Sequence, residues 1–267
     1  MNIQMMAIDM DGTLLHDDHS LSKRNAEAIQ QAAGKGVEIV LCTGRSPIST
    51  LPYLSELDLE GIVITHNGAA TVASKGRKLL HEYALDGPDL DMYIDYARKH
   101  KIHYDINTAF DLYVDDPSLL TDEVMHIYSQ FFITPKLFPG WDGLKDPAVK
   151  LTFSGMKEVI DEVEAQLSLW TDQLQFTRSA DYFIDIMHRN ATKGQALKLL
   201  AEQRGIPREN ILAIGNYYND MTMIQYAGIG IAMDNSPLDV KAAADDVTLS
   251  NNEDGVHAAI HKYILLE

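Results

Sequence analysis

Two aspartates separated by one residue follow the first apolar run of this 267-residue chain. The run Met5-Met6-Ala7-Ile8 is typical of a buried strand, and Asp9-Met10-Asp11-Gly12-Thr13 comes at its end. Side chains alternate between the two faces of a strand, so Asp9 and Asp11 are expected to point the same way. Two close carboxylates repel each other unless a cation or a shared proton compensates. The pair therefore indicates a metal, a nucleophile with an acid/base partner, or both.

Three further polar loops come directly after segments that read as strands. They are Thr43-Gly44-Arg45, Asn67-Gly68 and the stretch from Gly215 to Asp220. In an open α/β sheet the ligand lies beyond the carboxyl ends of the strands, so all four loops should gather along one edge, where Lys193 can join them. Backbone amides, Thr, Lys and Arg suit phosphate oxygens, whereas carboxylates and amide oxygens suit Mg²⁺. Together the residues predict phosphoryl transfer.

The elements that would position these loops alternate between strand and helix at both ends of the chain. Strands are predicted over 37–42, 61–65, 210–215 and 229–233, and helices over 22–35, 193–204 and 237–244. Strand and helix repeated in this order call for a parallel sheet with helices on both faces. Asn67-Gly68 is typical of the tight turn of a hairpin.

The middle of the chain has a different character. From Ala84 to His188, amphipathic helices such as 91–99 and 121–131 are mixed with shorter, more polar strands; the strands are 103–107, 111–114, 150–153 and 182–186. The predicted fold class is α/β: a Rossmann-like, doubly wound parallel sheet core with an inserted α/β cap domain. Residues 1–82 and 188–267 would form the core, and residues 83–187 the cap.

Composition narrows the partners and the compartment. With 39 acidic and 22 basic residues, the net charge of −17 argues against a nucleic-acid partner. No apolar run approaches the length that spans a bilayer, so no membrane partner is expected. Cys42 is the single cysteine, and the first residues lack the basic region of a signal peptide, which together favour the cytoplasm. Nothing in the chain indicates the oligomeric state.

The four loops resemble the four motifs of the haloacid dehalogenase-like (HAD) hydrolase superfamily, and the chain looks like a member of its Cof-type phosphatase branch. The corresponding segments are Asp9 to Thr13 for motif I, Cys42 to Arg45 for motif II, Lys193-Gly194 for motif III and Gly215 to Asp220 for motif IV. Order and spacing agree over essentially the whole chain. The resemblance implies that the inserted segment is a C2-type cap, which covers the site and selects the substrate.

The resemblance also implies a role for each aspartate of the first motif. Asp9 would be the nucleophile that forms an aspartyl-phosphate. Asp11 would protonate the leaving oxygen and then take a proton from the hydrolytic water. Mg²⁺ would sit between the Asp9 carboxylate, the Asp11 backbone carbonyl and the side chain of Asn216.

The other motif residues would bind the phosphoryl group or support the metal site. Thr43, the Gly44 amide and Lys193 would hold the phosphoryl group, with Arg45 and Asn219 nearby. Asp220 would hold a metal-bound water or orient Lys193. The implied function is a Mg²⁺-dependent phosphatase of small phosphorylated metabolites, with sugar phosphates or phosphorylated cofactors and their precursors as leading candidates. Phosphomutases use the same aspartyl-phosphate chemistry and are the first alternative.

Asn216 departs from the family pattern, which usually has Asp at this position. Asparagine keeps an oxygen ligand but removes a full negative charge, and a lost close charge is worth roughly a few kcal/mol at an effective dielectric of about 20. Mg²⁺ binding is therefore expected to persist but to be weaker. A phospholigand-binding protein silenced by Asn216 is the second alternative, and the retained Asp9, Asp11 and Lys193 argue against it.

Overall fold

The computed structural model of the protein describes residues 2–170, 174–180 and 182–266. Its strands are β1 (Met5–Asp9), β2 (Glu38–Cys42), β3 (Ile62–Thr65), β4 (Ala70–Ala73), β5 (Lys78–Glu82), β6 (His103–Thr108), β7 (Leu112–Val114), β8 (Lys136–Leu137), β9 (Ala148–Ser154), β10 (Leu174–Ala180), β11 (Phe183–His188), β12 (Ile211–Gly215), β13 (Ile229–Ala232) and β14 (Asp246–Val247). Its α-helices are α1 (Lys23–Gly34), α2 (Pro47–Glu56), α3 (Gly87–His100), α4 (Asp122–Gln130), α5 (Lys157–Leu167), α6 (Lys193–Arg204), α7 (Met221–Tyr226), α8 (Leu238–Ala243) and α9 (Gly255–Ile260). In these ranges no helix is both long and apolar enough to cross a membrane.

The larger sheet has eight strands in the order β14-β13-β12-β1-β2-β3-β4-β5. From β14 to β3 the neighbouring strands are parallel, and β1 lies in the middle between β12 and β2. The carboxyl ends of β1, β2, β3 and β12 therefore meet at one edge, as the sequence predicts. The hairpin expected at Asn67-Gly68 is also confirmed, because β4 returns antiparallel to β3 and β5 extends the same edge of the sheet.

Both faces of this sheet are buried, which confirms the doubly wound core. Met6 and Ile8 of β1 pack with α1 and α9 on one face. Met5 and Ala7 pack with α6 and α7 on the other. A strand covered on both sides needs apolar residues at every position, and burying each large side chain is worth about 1.5–3 kcal/mol. The continuous apolar run before Asp9 thus reflects the central place of β1.

The helix that carries Lys193 begins and ends where the sequence predicts. Thr192 caps α6 by accepting a hydrogen bond from the Gln195 amide at 3.1 Å. Gly205 ends the helix in the left-handed conformation, with a φ of +66°. The cap places Lys193 at the first helical position, at the carboxyl edge of the larger sheet.

The smaller sheet has six strands in the order β10-β11-β9-β6-β7-β8. The four strands predicted in the middle of the chain are present as β6, β7, β9 and β11 with bounds shifted by up to two residues, and β10 adds an antiparallel edge. Helices α3 and α5 cover one face of this sheet with an apolar core that includes Tyr93, Phe153 and Ile160. The opposite face is turned toward the carboxyl edge of the larger sheet.

Gly68 offers a test of how tightly the β3–β4 turn holds the start of α6. Its φ is +102°, and a β-carbon there would lie 2.3 Å from the Thr192 carbonyl group. We expect Gly68→Ala to lower the free energy of unfolding by about 3 kcal/mol, from backbone strain of about 1–2 kcal/mol and overpacking of about 1–3 kcal/mol. Urea denaturation measures the difference.

Gly76→Ala is the matched control. Gly76 also has a positive φ, +68°, but no atom lies within 4 Å of the added carbon. Only the backbone strain remains, so the expected loss is about 1 kcal/mol. Equal losses in the two variants would show that the contact with Thr192 is not a constraint.

Candidate active site

The carboxyl edge of the larger sheet and the polar face of the smaller sheet line a cavity of about 550 Å³. Seven of the nine predicted site residues line it, namely Asp9, Asp11, Thr43, Gly44, Arg45, Asn216 and Asn219. The other two, Lys193 and Asp220, lie behind Asp9 and are fully buried. The fold thus brings together residues from all four predicted loops. Seven predicted residues line the cavity, and Lys193 and Asp220 lie in a buried layer behind them.

Lys193 bridges the nucleophile candidate and the last motif. Its Nζ donates to Asp9 Oδ1 and to Asp220 Oδ1, at 2.6 Å in both cases. Asp220 Oδ2 accepts from the amides of Asn216 at 2.9 Å and Tyr217 at 3.0 Å. Each oxygen of Asp220 is therefore engaged, and the side chain orients Lys193. This contact fits one of the two roles predicted for Asp220, and the other, holding a metal-bound water, stays a prediction.

Asp9, Lys193 and Asp220 form a buried triad, and its charges raise the pKa of both Asp9 and Lys193. Burial and the Asp220 carboxylate raise the pKa of Asp9 to about 7, although Lys193 opposes the change. Burial disfavours the charged form of Lys193, but the two carboxylates outweigh it and hold the pKa of the ammonium above its usual value. When both carboxylates are ionised, the cluster carries one negative charge in excess, and the raised pKa of Asp9 reflects that imbalance.

One oxygen of the triad is left without a partner. Asp9 Oδ2 is buried and accepts no hydrogen bond within the described part of the chain. A buried carboxylate oxygen without a donor is costly, so this position favours an approaching cation or electrophile. Asp9 also lines the cavity, so that oxygen is where a ligand's charge would be compensated.

Asn216 lies at the end of β12, next to the turn after β1. Its Oδ1 accepts from the Thr13 hydroxyl at 3.3 Å. Gly12 has a φ of +73°, and a β-carbon there would lie 2.4 Å from Asn216 Nδ2, so a larger residue would strain the backbone and displace the Asn216 amide group. The carboxylate of Asp9 and the amide oxygen of Asn216 are the hard oxygen donors that Mg²⁺ prefers.

The donor set is nevertheless poor in charge. Within the described ranges, no three His, Cys, Asp or Glu side chains converge as metal ligands. Asn216 contributes no charge, the carboxylate of Asp220 is engaged by Lys193, and that of Asp11 is paired with Arg45. The residues therefore fit Mg²⁺ as a site of oxygen ligands with a single carboxylate, and the weaker binding expected from Asn216 stays a prediction.

Asp11 reaches the cavity from a turn and not from the strand. β1 ends at Asp9, so the alternation of faces does not position Asp11. Its carboxylate forms a two-pronged pair with Arg45, in which Nε lies 2.8 Å from Oδ2 and Nη2 donates to Oδ1. The ring of Phe131, just after α4, lies 4.7 Å from the guanidinium carbon. To donate a proton to a ligand, Asp11 must exchange Arg45 for that ligand's oxygen.

The phosphate-binding candidates are held by hydrogen bonds within one loop and between neighbouring loops. Thr43 Oγ1 accepts from the Arg45 amide at 3.1 Å. Asn219 donates to Asn67 Oδ1 at 3.0 Å, and Gly44 packs so closely on the same amide group that a β-carbon would lie 3.1 Å from its oxygen. Asn67 therefore joins the loops after β2 and β12. The sequence predicts the Asn67-Gly68 turn as a hairpin and as one of the loops at this edge, and the structure adds the contact that Asn67 makes with its neighbours.

The sequence predicts that the inserted segment covers the site, but sequence reasoning did not identify which of its residues line the cavity. Polar side chains that line the cavity from this sheet include Asp105, Asn107, Lys150, Thr152 and Asp185. The available signal was the alternation of polar and apolar residues along β6, β9 and β11, which is typical of a strand with two unlike faces. His66 also lines the cavity, and burial lowers its pKa to about 3, so the ring is neutral.

The known proteins that this chain resembles include haloacid dehalogenase-like hydrolases and phosphatases. The family model described as haloacid dehalogenase-like hydrolase matches residues 6–260. Phosphatase YwpJ of Bacillus subtilis is 31% identical, with 98% of this chain and 100% of the relative covered. The 5-amino-6-(5-phospho-D-ribitylamino)uracil phosphatase YcsE of the same organism is 32% identical over 99% of this chain and 97% of its own. A haloacid dehalogenase-like hydrolase from Bacteroides thetaiotaomicron shares the fold, with a TM-score of 0.87, 27% identity and coverage of 98% and 99%.

The Lys193 bridge predicts a strong effect on stability. Lys193→Met keeps much of the side-chain volume but leaves two carboxylates buried without their cation. Loss of one partner of a buried ion pair typically costs about 3–5 kcal/mol, and we expect a decrease of that size in the free energy of unfolding. Chemical denaturation at pH 8 measures it.

The double variant Lys193→Met/Asp220→Asn is the control for charge. It removes one of the two stranded carboxylates with little change in shape, so part of the lost stability should return. A double variant as unstable as the single one would show that packing around Lys193, and not charge balance, is responsible.

Proposed function

The chain belongs to the haloacid dehalogenase-like hydrolase family and is a phosphoric monoester hydrolase, and we propose that it cleaves small phosphorylated metabolites through an aspartyl-phosphate on Asp9. One observation carries the choice of Asp9. It ends the central strand, Lys193 holds one of its oxygens, and the other oxygen is buried without a partner beside the cavity.

The covalent step follows from this position. The Asp9 carboxylate attacks phosphorus, a bond forms between its oxygen and the phosphoryl group, and the bond to the ester oxygen breaks. Asp11 gives a proton to the departing oxygen, so the alcohol leaves uncharged. A water molecule then attacks the aspartyl-phosphate while Asp11 takes up its proton. Inorganic phosphate is released and Asp9 returns to its starting form.

Charge in the site has to be compensated while the phosphoryl group is transferred. Lys193 remains bonded to Asp9 from behind and limits the movement of the nucleophile. The Thr43 hydroxyl, the Gly44 amide, Arg45 and the Asn219 amide line the cavity, where they can donate hydrogen bonds to phosphoryl oxygens. Asn67 keeps Asn219 in place.

We assign Mg²⁺ as the cofactor. The Asp9 carboxylate, the Asn216 amide oxygen and the Asp11 backbone carbonyl would hold the ion. When bound, Mg²⁺ supplies positive charge that offsets the repulsion between Asp9 and an anionic phosphate ester. The unpartnered Asp9 Oδ2 supports this assignment, and so does the raised pKa of Asp9, because a cation beside this carboxylate would stabilise its ionised form.

Residues 83–187 are proposed to act as the cap that selects the substrate. Their polar side chains form one wall of the cavity, so a bound phosphate ester would place its alcohol portion against them. Sugar phosphates and phosphorylated cofactors or their precursors are the leading substrate classes, and the name of one relative, a phosphatase of a phosphorylated ribityl compound, agrees with this range. The lone buried Cys42 favours the cytoplasm as the compartment.

Asn216→Asp tests the metal assignment. The added carboxylate should lower the Mg²⁺ concentration for half-maximal phosphate release by at least about tenfold, since tenfold corresponds to about 1.4 kcal/mol. Phosphate release from p-nitrophenyl phosphate over a Mg²⁺ titration is the measurement. Absence of turnover by the natural chain at saturating Mg²⁺ would remove the proposal that it is a working enzyme.

Asp9→Asn is the control for the nucleophile. The amide keeps the shape of the side chain but cannot form the acyl-phosphate, so turnover should fall by at least about a thousandfold at every Mg²⁺ concentration. Substantial activity in this variant would mean that another group attacks phosphorus.

A further inference from the structure

The smaller sheet has two unlike faces, and both are buried. On one face Ile106, Leu151 and Ile186 belong to the apolar core that α3 and α5 cover. The other face carries buried polar side chains at alternate positions of three neighbouring strands, which include His103, Asp105, Asn107, Thr152, Ser154 and Asp185. Burying polar groups without ligands lowers stability, so a face of this kind indicates a binding surface.

Four of these side chains line the cavity together with Lys150. We call the five residues the polar wall: Asp105, Asn107, Lys150, Thr152 and Asp185. The register places them in two adjacent rows. Asp105 and Asp185 both pair with Thr152, one from each side. Asn107 pairs with Lys150 in the next row. Acceptor-only carboxylates and donor groups thus lie side by side across β6, β9 and β11.

The polar wall is internally bonded and negatively charged. Asp185 Oδ1 accepts from the Thr152 hydroxyl at 2.8 Å and pairs with Lys150 Nζ at 3.3 Å. Asp105 accepts from Asn107 and, at 3.1 Å, from the Tyr128 hydroxyl. Two carboxylates face one ammonium group, so the wall carries one negative charge when both are ionised.

The cations that line the cavity in the described ranges already contact carboxylates. Lys150 pairs with Asp185, and Arg45 pairs with Asp11. Arg178 pairs with Asp161 at 3.0 Å and with Glu164 at 2.8 Å. A second anionic group on a substrate would therefore approach Asp105 and Asp185, and each cation near it would already be paired with a carboxylate.

We propose that Asp105 and Asp185 are specificity-determining residues that select phosphate esters of uncharged, polyhydroxylated alcohols and reject those whose alcohol portion carries an anionic group. This inference rests on the proposed function. Hydroxyl groups both donate and accept, so a polyol can donate to the two carboxylates and accept from Lys150 and Asn107. A carboxylate or second phosphate on the substrate only accepts, and it meets repulsion at the wall.

The ionisation of Asp105 supports a binding role over a structural one. Burial raises its pKa from 3.8 to about 6. A carboxyl group whose pKa is raised on folding makes the folded state less stable as pH rises from 3.8 to about 6, and the loss persists above that pH. Asp105→Asn avoids this loss, so its melting temperature at pH 8 should be no lower than that of the natural chain.

The test compares two substrates that differ mainly in one charge. Sorbitol 6-phosphate ends in a hydroxymethyl group, where 6-phosphogluconate has a carboxylate. For the natural chain with Mg²⁺ we expect kcat/KM to favour the alditol phosphate by at least about thirtyfold. Asp185→Asn and Asp105→Asn should each reduce this ratio by about tenfold, mainly through a lower KM for 6-phosphogluconate.

Two controls separate the possible failures. Asp95→Asn removes the same charge from an exposed position on α3 and should leave the ratio unchanged. Turnover of p-nitrophenyl phosphate should stay within about threefold of the natural chain in Asp95→Asn. Loss of p-nitrophenyl phosphate turnover in the natural chain would contradict the proposed function itself.

The charge selection is overturned by either of two results obtained while p-nitrophenyl phosphate is still hydrolysed. One is equal kcat/KM of the natural chain for the two sugar-derived substrates. The other is a ratio that stays unchanged in both wall variants. If one wall variant fails to fold, the other, together with Lys150→Gln, decides the question. Lys150→Gln removes a cation from the wall and should raise the ratio.

Discussion

The site depends on one buried ammonium group that joins two carboxylates. Lys193 is fully buried, and its Nζ lies 2.6 Å from oxygens of both Asp9 and Asp220. A charge of this kind is tolerated only when its partners are close and well oriented, since the desolvation penalty is several kcal/mol per ion. The surrounding backbone meets that demand. A β-carbon on Gly194 would lie 2.3 Å from the Thr222 carbonyl oxygen, and one on Gly215 would lie 2.5 Å from the Asp220 side chain. Gly194 lets α6 approach α7, and Gly215 lets the end of β12 approach Asp220, closely enough for the bridge to form.

The hydrogen bonds from Lys193 to Asp9 and Asp220 also determine which carboxylate oxygens can contact a ligand. Lys193 holds one oxygen of Asp9, and Asp220 is engaged by Lys193 and two backbone amides, so Asp9 Oδ2 is the oxygen of this cluster that has no partner in the described part of the chain. Asn216 supplies an oxygen there but no charge. With Mg²⁺ assigned to this position, cation binding would depend on Asp9 more than it would with a second carboxylate. Asp9, the proposed cation site and the ion pair with Lys193 are therefore linked through one side chain.

The smaller sheet buries an apolar face and a polar face on opposite sides. Its apolar face packs on α3 and α5, and its polar face is buried against the cavity. Phe131 extends the contact between the two parts, because its ring lies over the guanidinium of Arg45, which in turn holds Asp11. The segment between the two halves of the core thus contacts the catalytic candidates as well as shaping the cavity.

The sequence by itself determined the core fold and most of the site. Continuous apolar runs, turn residues and helix caps are local signals, so β1, β2, β3 and α6 could be placed, and the four motifs named seven residues that line the cavity. Only the tertiary structure decided how those residues are used. Lys193 and Asp9 are 184 positions apart, and whether Lys193 meets phosphate or the nucleophile depends on how closely α6 approaches the sheet. The pairing of Asp11 with Arg45 and the polar wall of Asp105, Lys150 and Asp185 likewise arise from the packing of distant strands and helices. No local pattern specifies that packing, because contact between such elements is set by the shape and burial of the whole fold.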